Sequence, residues 1–132
     1  MSFTKVKKGV CAAKGFVANG LNCGLNSDKN KNDLALVYSE TPCQAAAVYT
    51  TNKVKGAPIQ VTKAHLEASG HTAKAVIVNS KNANTCNADG VEKAQRMCEL
   101  AAAELSIDPN EVIVASTGVI GQVLPIEPIE SH

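Results

Sequence analysis

The stretch Ala115-Ser116-Thr117-Gly118-Val119-Ile120-Gly121 follows directly on the apolar run Val112-Ile113-Val114, a pattern that reads as a tight turn leaving a buried strand. Glycine has no Cβ, so the main chain at Gly118 can come close to a ligand. Its N–H and the neighbouring Thr117 hydroxyl would then converge on one oxygen atom, the donor arrangement that stabilises an oxyanion. Gly-x-x-Gly after a strand is often just a turn, and on these residues alone the ordinary turn is the simpler reading.

Other chemistries find less support. A cysteine nucleophile with a histidine base would have to draw on Cys43 or Cys86 and on His65 or His71, and no local signature joins any such pair. Buried or incidental thiols are the simpler reading. A zinc site needs Cys and His clustered at short spacing, which the five cysteines and three histidines do not supply, so no metal is expected. Neither Gly-x-Gly-x-x-Gly nor a phosphate-binding Gly-Lys-Ser or Gly-Lys-Thr occurs. In the loop Ser80-Lys81-Asn82-Ala83-Asn84-Thr85, Asn82 reads as an Asx-turn residue, while Asn84 is open between a turn and a hydrogen bond to substrate.

The elements that must position these residues follow an α/β pattern. Strands are expected over residues 15–18, 34–39, 45–51, 57–61, 73–79 and 111–115. A brief helix is expected from Thr62, its cap, to Ala68, ended by Gly70. The clearest helix runs from about Gly90 to Leu105, with Val91, Ala94, Met97 or Cys98, Ala101 and Leu105 in one apolar stripe and Asp89 with Glu92 resembling a capping box. Asp108-Pro109-Asn110 breaks the chain before the last strand, and the loop 26–32 is expected to be exposed. Ile126 and Ile129 suggest the first turns of an amphipathic helix, at which the sequence stops, so residues 1–132 read as one α/β segment of something larger.

Composition bounds the function. At 132 residues and 45% hydrophobic the chain can build one core, and with 3% aromatic residues and no Trp that core must come from Ala, Val, Ile and Leu. Stacking platforms for bases are missing, and 13 basic against 12 acidic residues give a net charge of +1 without a basic face, so no nucleic-acid partner is expected. The odd cysteine count, no Cys-x-x-Cys pair, no signal-peptide core and no span-length apolar run point to a cytoplasmic protein without a membrane partner.

Five segments in order, Gly15-Phe16, Asp33-Leu34-Ala35-Leu36-Val37, Ala46-Ala47-Val48-Tyr49-Thr50-Thr51-Asn52, Val76-Ile77-Val78-Asn79-Ser80-x-Asn82-Ala83-Asn84 and Ala115 to Gly121, cover nearly the whole chain. Together they resemble the glutamate N-acetyltransferase (ornithine acetyltransferase) family. The resemblance implies a mixed-sheet layered α/β sandwich of the ornithine acetyltransferase type, of which this chain is the amino-terminal portion, within the α chain. It also implies autocatalytic cleavage before a Thr, which becomes the nucleophile with its own α-amine as base. Acetyl would pass from N-acetylornithine through an acetyl-Thr to glutamate in arginine biosynthesis. No resident cofactor is implied, though acetyl-CoA serves some members as acetyl donor.

The family's oxyanion hole carries over to Thr117 and Gly118. Its cleavage context, Ala-Thr, does not occur here, so the nucleophile is expected beyond His132, in the remainder of the precursor that includes the β chain. Lys81 stands where the family usually has Gly. The expectation is therefore an oligomeric acyltransferase segment, inactive alone. Two other readings fit the same residues: a segment of a self-processing Thr- or Ser-nucleophile amidohydrolase or aminopeptidase, and a non-catalytic assembly segment.

Overall fold

The computed structural model describes residues 4–132. Four strands, β1 (Phe16–Leu21), β2 (Leu34–Gln44), β3 (Thr72–Asn79) and β4 (Val112–Ser116), form one mixed sheet in the order β1-β2-β3-β4. The first two pairings are antiparallel and β3 with β4 is parallel. The helices are α1 (Ala57–Ala68), α2 (Gly90–Leu105) and the short α3 (Glu127–Glu130). The element order implied an α/β fold and the resemblance a mixed, layered sheet, and both are found.

Alternation on β3 buries Ala73, Ala75, Ile77 and Asn79 on one face. Val112 and Val114 of β4 continue that face in register with Ala75 and Ile77. Ala94, Met97, Cys98, Ala101 and Ala102 of α2 pack onto it, which is what a helix with that apolar spacing must do to hide its stripe. Val91, expected in the stripe, is instead 48% exposed. Asp89 occupies the N-cap position of α2 but makes no side-chain cap bond. Its backbone (φ −97, ψ 10) lies outside the extended geometry that aims a capping oxygen at the first turn, and its Oδ2 pairs with Lys93 Nζ at 2.8 Å.

Two expected strands are absent. Residues 57–61 form the first turns of α1, because Gly56 can serve as N-cap and Pro58 fits an opening turn that needs no N–H partner. Val61, Thr62, His65 and Leu66 then recur with helical spacing and are buried together. Thr62 is accordingly inside the helix and not its cap. Its hydroxyl donates to Val114 O (3.0 Å) and accepts from Val114 N (3.2 Å). Residues 45–51 carry no regular secondary structure and lie outside the sheet. Ala45 N still donates to His71 O at 2.8 Å, but Val48 is 99% exposed. Strand propensity expresses fit to neighbouring strands, and none of the described residues provides one there.

Asp33 closes the loop between β1 and β2. Its carboxylate accepts from Cys23 N at 2.7 Å and from Asn26 N at 2.6 Å, and its own carbonyl accepts from Ser80 N at 2.8 Å. Burial alone would raise this carboxyl, yet the backbone donors from Asn26 and Cys23 outweigh it and hold Asp33 below the usual carboxylate range. Burial, and next the hydrogen bond with Asp33, push the Cys23 thiol up to about 11.

Because Asp33 has a lower pKa folded than unfolded, its stabilisation is complete above the unfolded value of about 3.9 and is lost as pH falls through the folded one. Asp33→Asn should cost about 1–3 kcal/mol at neutral pH, since one buried N–H would face an amide donor. Thermal unfolding of both forms between neutral and strongly acid pH checks this: the gap between them should shrink with acidity, and a constant gap would contradict the assignment.

Candidate oxyanion site at the ends of the parallel strands

Asn79 and Ser116 are register partners at the carboxyl ends of β3 and β4. Two loops, residues 80–87 and 117–123, therefore leave the sheet side by side, at the end where α/β sheets place their ligands. Thr117 N donates to Asn79 O at 3.0 Å, Val119 N to Lys81 O at 3.0 Å, Ala83 N to Val119 O at 2.9 Å and Gly121 N to Thr85 O at 2.9 Å. Asn82 forms bridges with both Thr117 and Val119.

Gly118 lies where only glycine fits. Its φ is 135°, and a Cβ there would collide with the Lys81 carbonyl group and the Asn82 N. Thr117 and Gly118 are both exposed. The Thr117 N–H is consumed by Asn79 O, whereas among the described residues no hydrogen bond engages the Thr117 hydroxyl or the Gly118 N–H. An adjacent hydroxyl and N–H, both exposed and both unspent on the fold, can bind one external oxygen.

The asparagines are bound into the structure. Asn82 Oδ1 accepts from Asn84 N at 2.8 Å, which is the expected Asx-turn, while its Nδ2 reaches across to Gln122 O (3.0 Å) and Val123 O (3.2 Å). Asn84, fully buried, donates from Nδ2 to Gly90 O at 2.8 Å and accepts from Ala57 N at 3.1 Å, joining the starts of both long helices. A Cβ on Gly90 would stand 2.9 Å from Asn84 Oδ1, so the open question at Asn84 resolves to a structural contact. In the sequence Asn79 reads only as the last residue of a strand. Its Nδ2 donates to Ser80 O and Asn82 O, and the only hint was a polar residue in the buried phase of the alternation.

Among the described residues no hydrogen bond joins Cys43 or Cys86 to His65 or His71. Both ring nitrogens of His65 are engaged, with Val112 O at 3.0 Å and Gln95 Oε1 at 2.7 Å. Cys43 donates to Ser39 Oγ at 3.1 Å, Cys86 is exposed, and burial pushes the Cys98 thiol up to about 12, where it is inert as a nucleophile.

Comparison with known proteins gives this geometry a family. The ArgJ family profile matches residues 17–132. The chain belongs to the ArgJ family. Among ArgJ proteins, "Arginine biosynthesis bifunctional protein ArgJ 1" of Clostridium acetobutylicum is 49% identical over 115 residues, covering 86% of this chain and 28% of that protein. The Bacillus subtilis ArgJ is 47% identical over 128 residues, covering 96% and 31%. The chain thus spans about a third or less of the curated ArgJ relatives it matches.

Two solved structures share the fold. The ArgJ crystal structure from Bacillus halodurans superposes with a TM-score of 0.85 at 40% identity, over 91% of this chain and 62% of that one. The Mycobacterium tuberculosis ornithine acetyltransferase, solved with ornithine, gives 0.82 at 38% identity, over 91% and 64%. The fold class expected from the resemblance, that of the ornithine acetyltransferases, therefore holds for this ArgJ-family chain.

Lys81 has a φ of 75°, the left-handed region that a side chain adopts at a cost. Lys81→Gly should therefore stabilise the ArgJ-family segment by up to about 1 kcal/mol, the relief of strain exceeding the extra chain entropy of glycine. Gly118→Ala should destabilise it by more than about 2 kcal/mol because backbone has to move. Denaturant unfolding of both variants decides: opposite signs are expected, and equal behaviour would refute the loop geometry.

Proposed function

We propose that this chain is the segment of a self-processing ornithine acetyltransferase that supplies the oxyanion hole, with the Thr117 hydroxyl and the Gly118 N–H as the two donors. The observation that carries the reading is that this adjacent hydroxyl and N–H make no hydrogen bond among the described residues, at the end of the sheet where the loops 80–87 and 117–123 meet. Family membership and the likeness to an ornithine acetyltransferase solved with ornithine support it.

In this reading a threonine elsewhere in the enzyme attacks the acetyl carbonyl of N-acetylornithine. Negative charge grows on the carbonyl oxygen, and Thr117 and Gly118 donate to it more strongly there than to the neutral substrate, which is what lowers the barrier. Collapse expels ornithine and leaves acetyl on the threonine. The glutamate amine then attacks the same carbonyl, so the hole serves both half-reactions, and N-acetylglutamate departs with the nucleophile restored. Acetyl-CoA as donor would pass through the same acetyl-Thr, and no resident cofactor is needed. Lacking the nucleophile, the chain alone is inactive and works with the remainder of the precursor, β chain included, in a cytoplasmic oligomer.

Thr117→Val removes the hydroxyl at nearly constant shape and at an exposed position. In the complete reading frame that encodes this segment, acetyl transfer from N-acetylornithine to glutamate should fall by about a hundred- to a thousandfold with little change in melting temperature. Unchanged transfer would remove Thr117 from the site, release of acetate to water in place of transfer would favour the amidohydrolase reading, and transfer by residues 1–132 alone would overturn the half-site.

A further inference from the structure

We propose that Asn82 is a positioning residue for this reaction, setting the direction of the Thr117 and Gly118 donors through its hydrogen bonds to the loop that carries them; this rests on the oxyanion-hole reading. Every residue from Thr117 to Val123 is exposed, with Val119, Ile120 and Val123 at 48%, 63% and 64%. Ser116 is half-buried and Leu124 fully buried at the two ends, so no side-chain burial fixes the backbone in between. What holds it must be hydrogen bonding.

Asn82 is 6% exposed and grips that loop at both ends. Its backbone bridges Thr117 and Val119, and its N lies close enough to Gly118 to exclude a Cβ. Its Nδ2 donates to the carbonyls of Gln122 and Val123 at 3.0 and 3.2 Å, and its Oδ1 is held in turn by Asn84 N at 2.8 Å. Asn79 Nδ2 donates to Asn82 O at 2.9 Å, so the clamp is itself anchored to β3. Gln122 O also accepts from Asn87 Nδ2 at 2.6 Å, but that contact is exposed and open to water. Among the described residues, Asn82 alone joins the donor end of the loop to its exit, by its backbone at one end and its buried side chain at the other.

Asn82→Asp isolates this role. It keeps the shape and the acceptor for Asn84 N, but turns an oxygen toward the Gln122 and Val123 carbonyls. In the complete reading frame, kcat should fall about ten- to a hundredfold with KM within about twofold, because misdirected donors lose transition-state binding and not substrate binding. Repeated on a Thr117→Val background, the same change should cost less than about threefold, since the two residues act through one hole. Equal losses on both backgrounds, a loss carried by KM, or no loss would overturn the role of Asn82. An unaffected Thr117→Val enzyme would instead fail the oxyanion reading beneath it. Asn82→Ala should reproduce the kcat loss at a lower melting temperature, and full activity in that variant would also overturn the proposal.

Discussion

The parallel pairing of β3 and β4 is the constraint on which the rest depends. Parallel neighbours leave a sheet in the same direction, about 4.8 Å apart, so whatever follows them must share one small volume. Here the segments that follow are 80–87 and 117–123, and the register Asn79↔Ser116 sets them level. The level start allows Thr117 N to reach Asn79 O, and each later bond between the loops follows from that first one. An antiparallel pair would have sent the two ends to opposite sides of the sheet.

Parallel pairing has two requirements that the sequence meets in different places. A crossover must carry the chain back, which α2 does with its apolar stripe laid on Ala75, Ile77, Val112 and Val114. The outer edge of β4 must also be covered, since β4 ends the sheet and would otherwise present free N–H and C=O groups. Thr62 and His65, one helical turn apart on α1, satisfy Val114 and Val112 from that side. The same turn of α1 that fills the core thus protects the strand whose end carries the site. Asn84 ties the starts of α1 and α2 together, so the loop beside the donors is braced by both helices.

What the sequence disclosed follows from the range of the forces involved. Residues 73–79 and 90–105 were legible because alternation and helical spacing are local and strong there. Residues 57–61 were misread: Ala-Pro-Ile-Gln-Val has the composition of a strand, and its helical periodicity is visible only when Thr62, His65 and Leu66 are counted with it. Residues 45–51 have the composition of a strand, and no strand among the described residues pairs with them. The turn at Gly118 was legible from its position after a buried run, and the Asx-turn of Asn82 from residue type. The reach of Asn82 to Gln122 and Val123 spans 40 and 41 residues and has no local signature at all.

Glycine at position 118 has two sufficient reasons, and this bears on how the site is read. Close approach to Lys81 and Asn82 demands it for packing, whether or not any ligand binds. Loss of function on filling that position therefore says nothing about oxyanion chemistry. The hydroxyl of Thr117 has no structural duty among the described residues, so its presence is what the fold alone does not account for. A loop that must keep a hydroxyl and an N–H unspent cannot be stabilised by burying itself, because burial would oblige those groups to find partners inside the protein. It must stay at the surface and take its shape from a neighbour that is buried. Exposed donors held by a buried asparagine whose side-chain amide is bonded at both ends are what the proposed oxyanion site requires and an ordinary exposed turn does not.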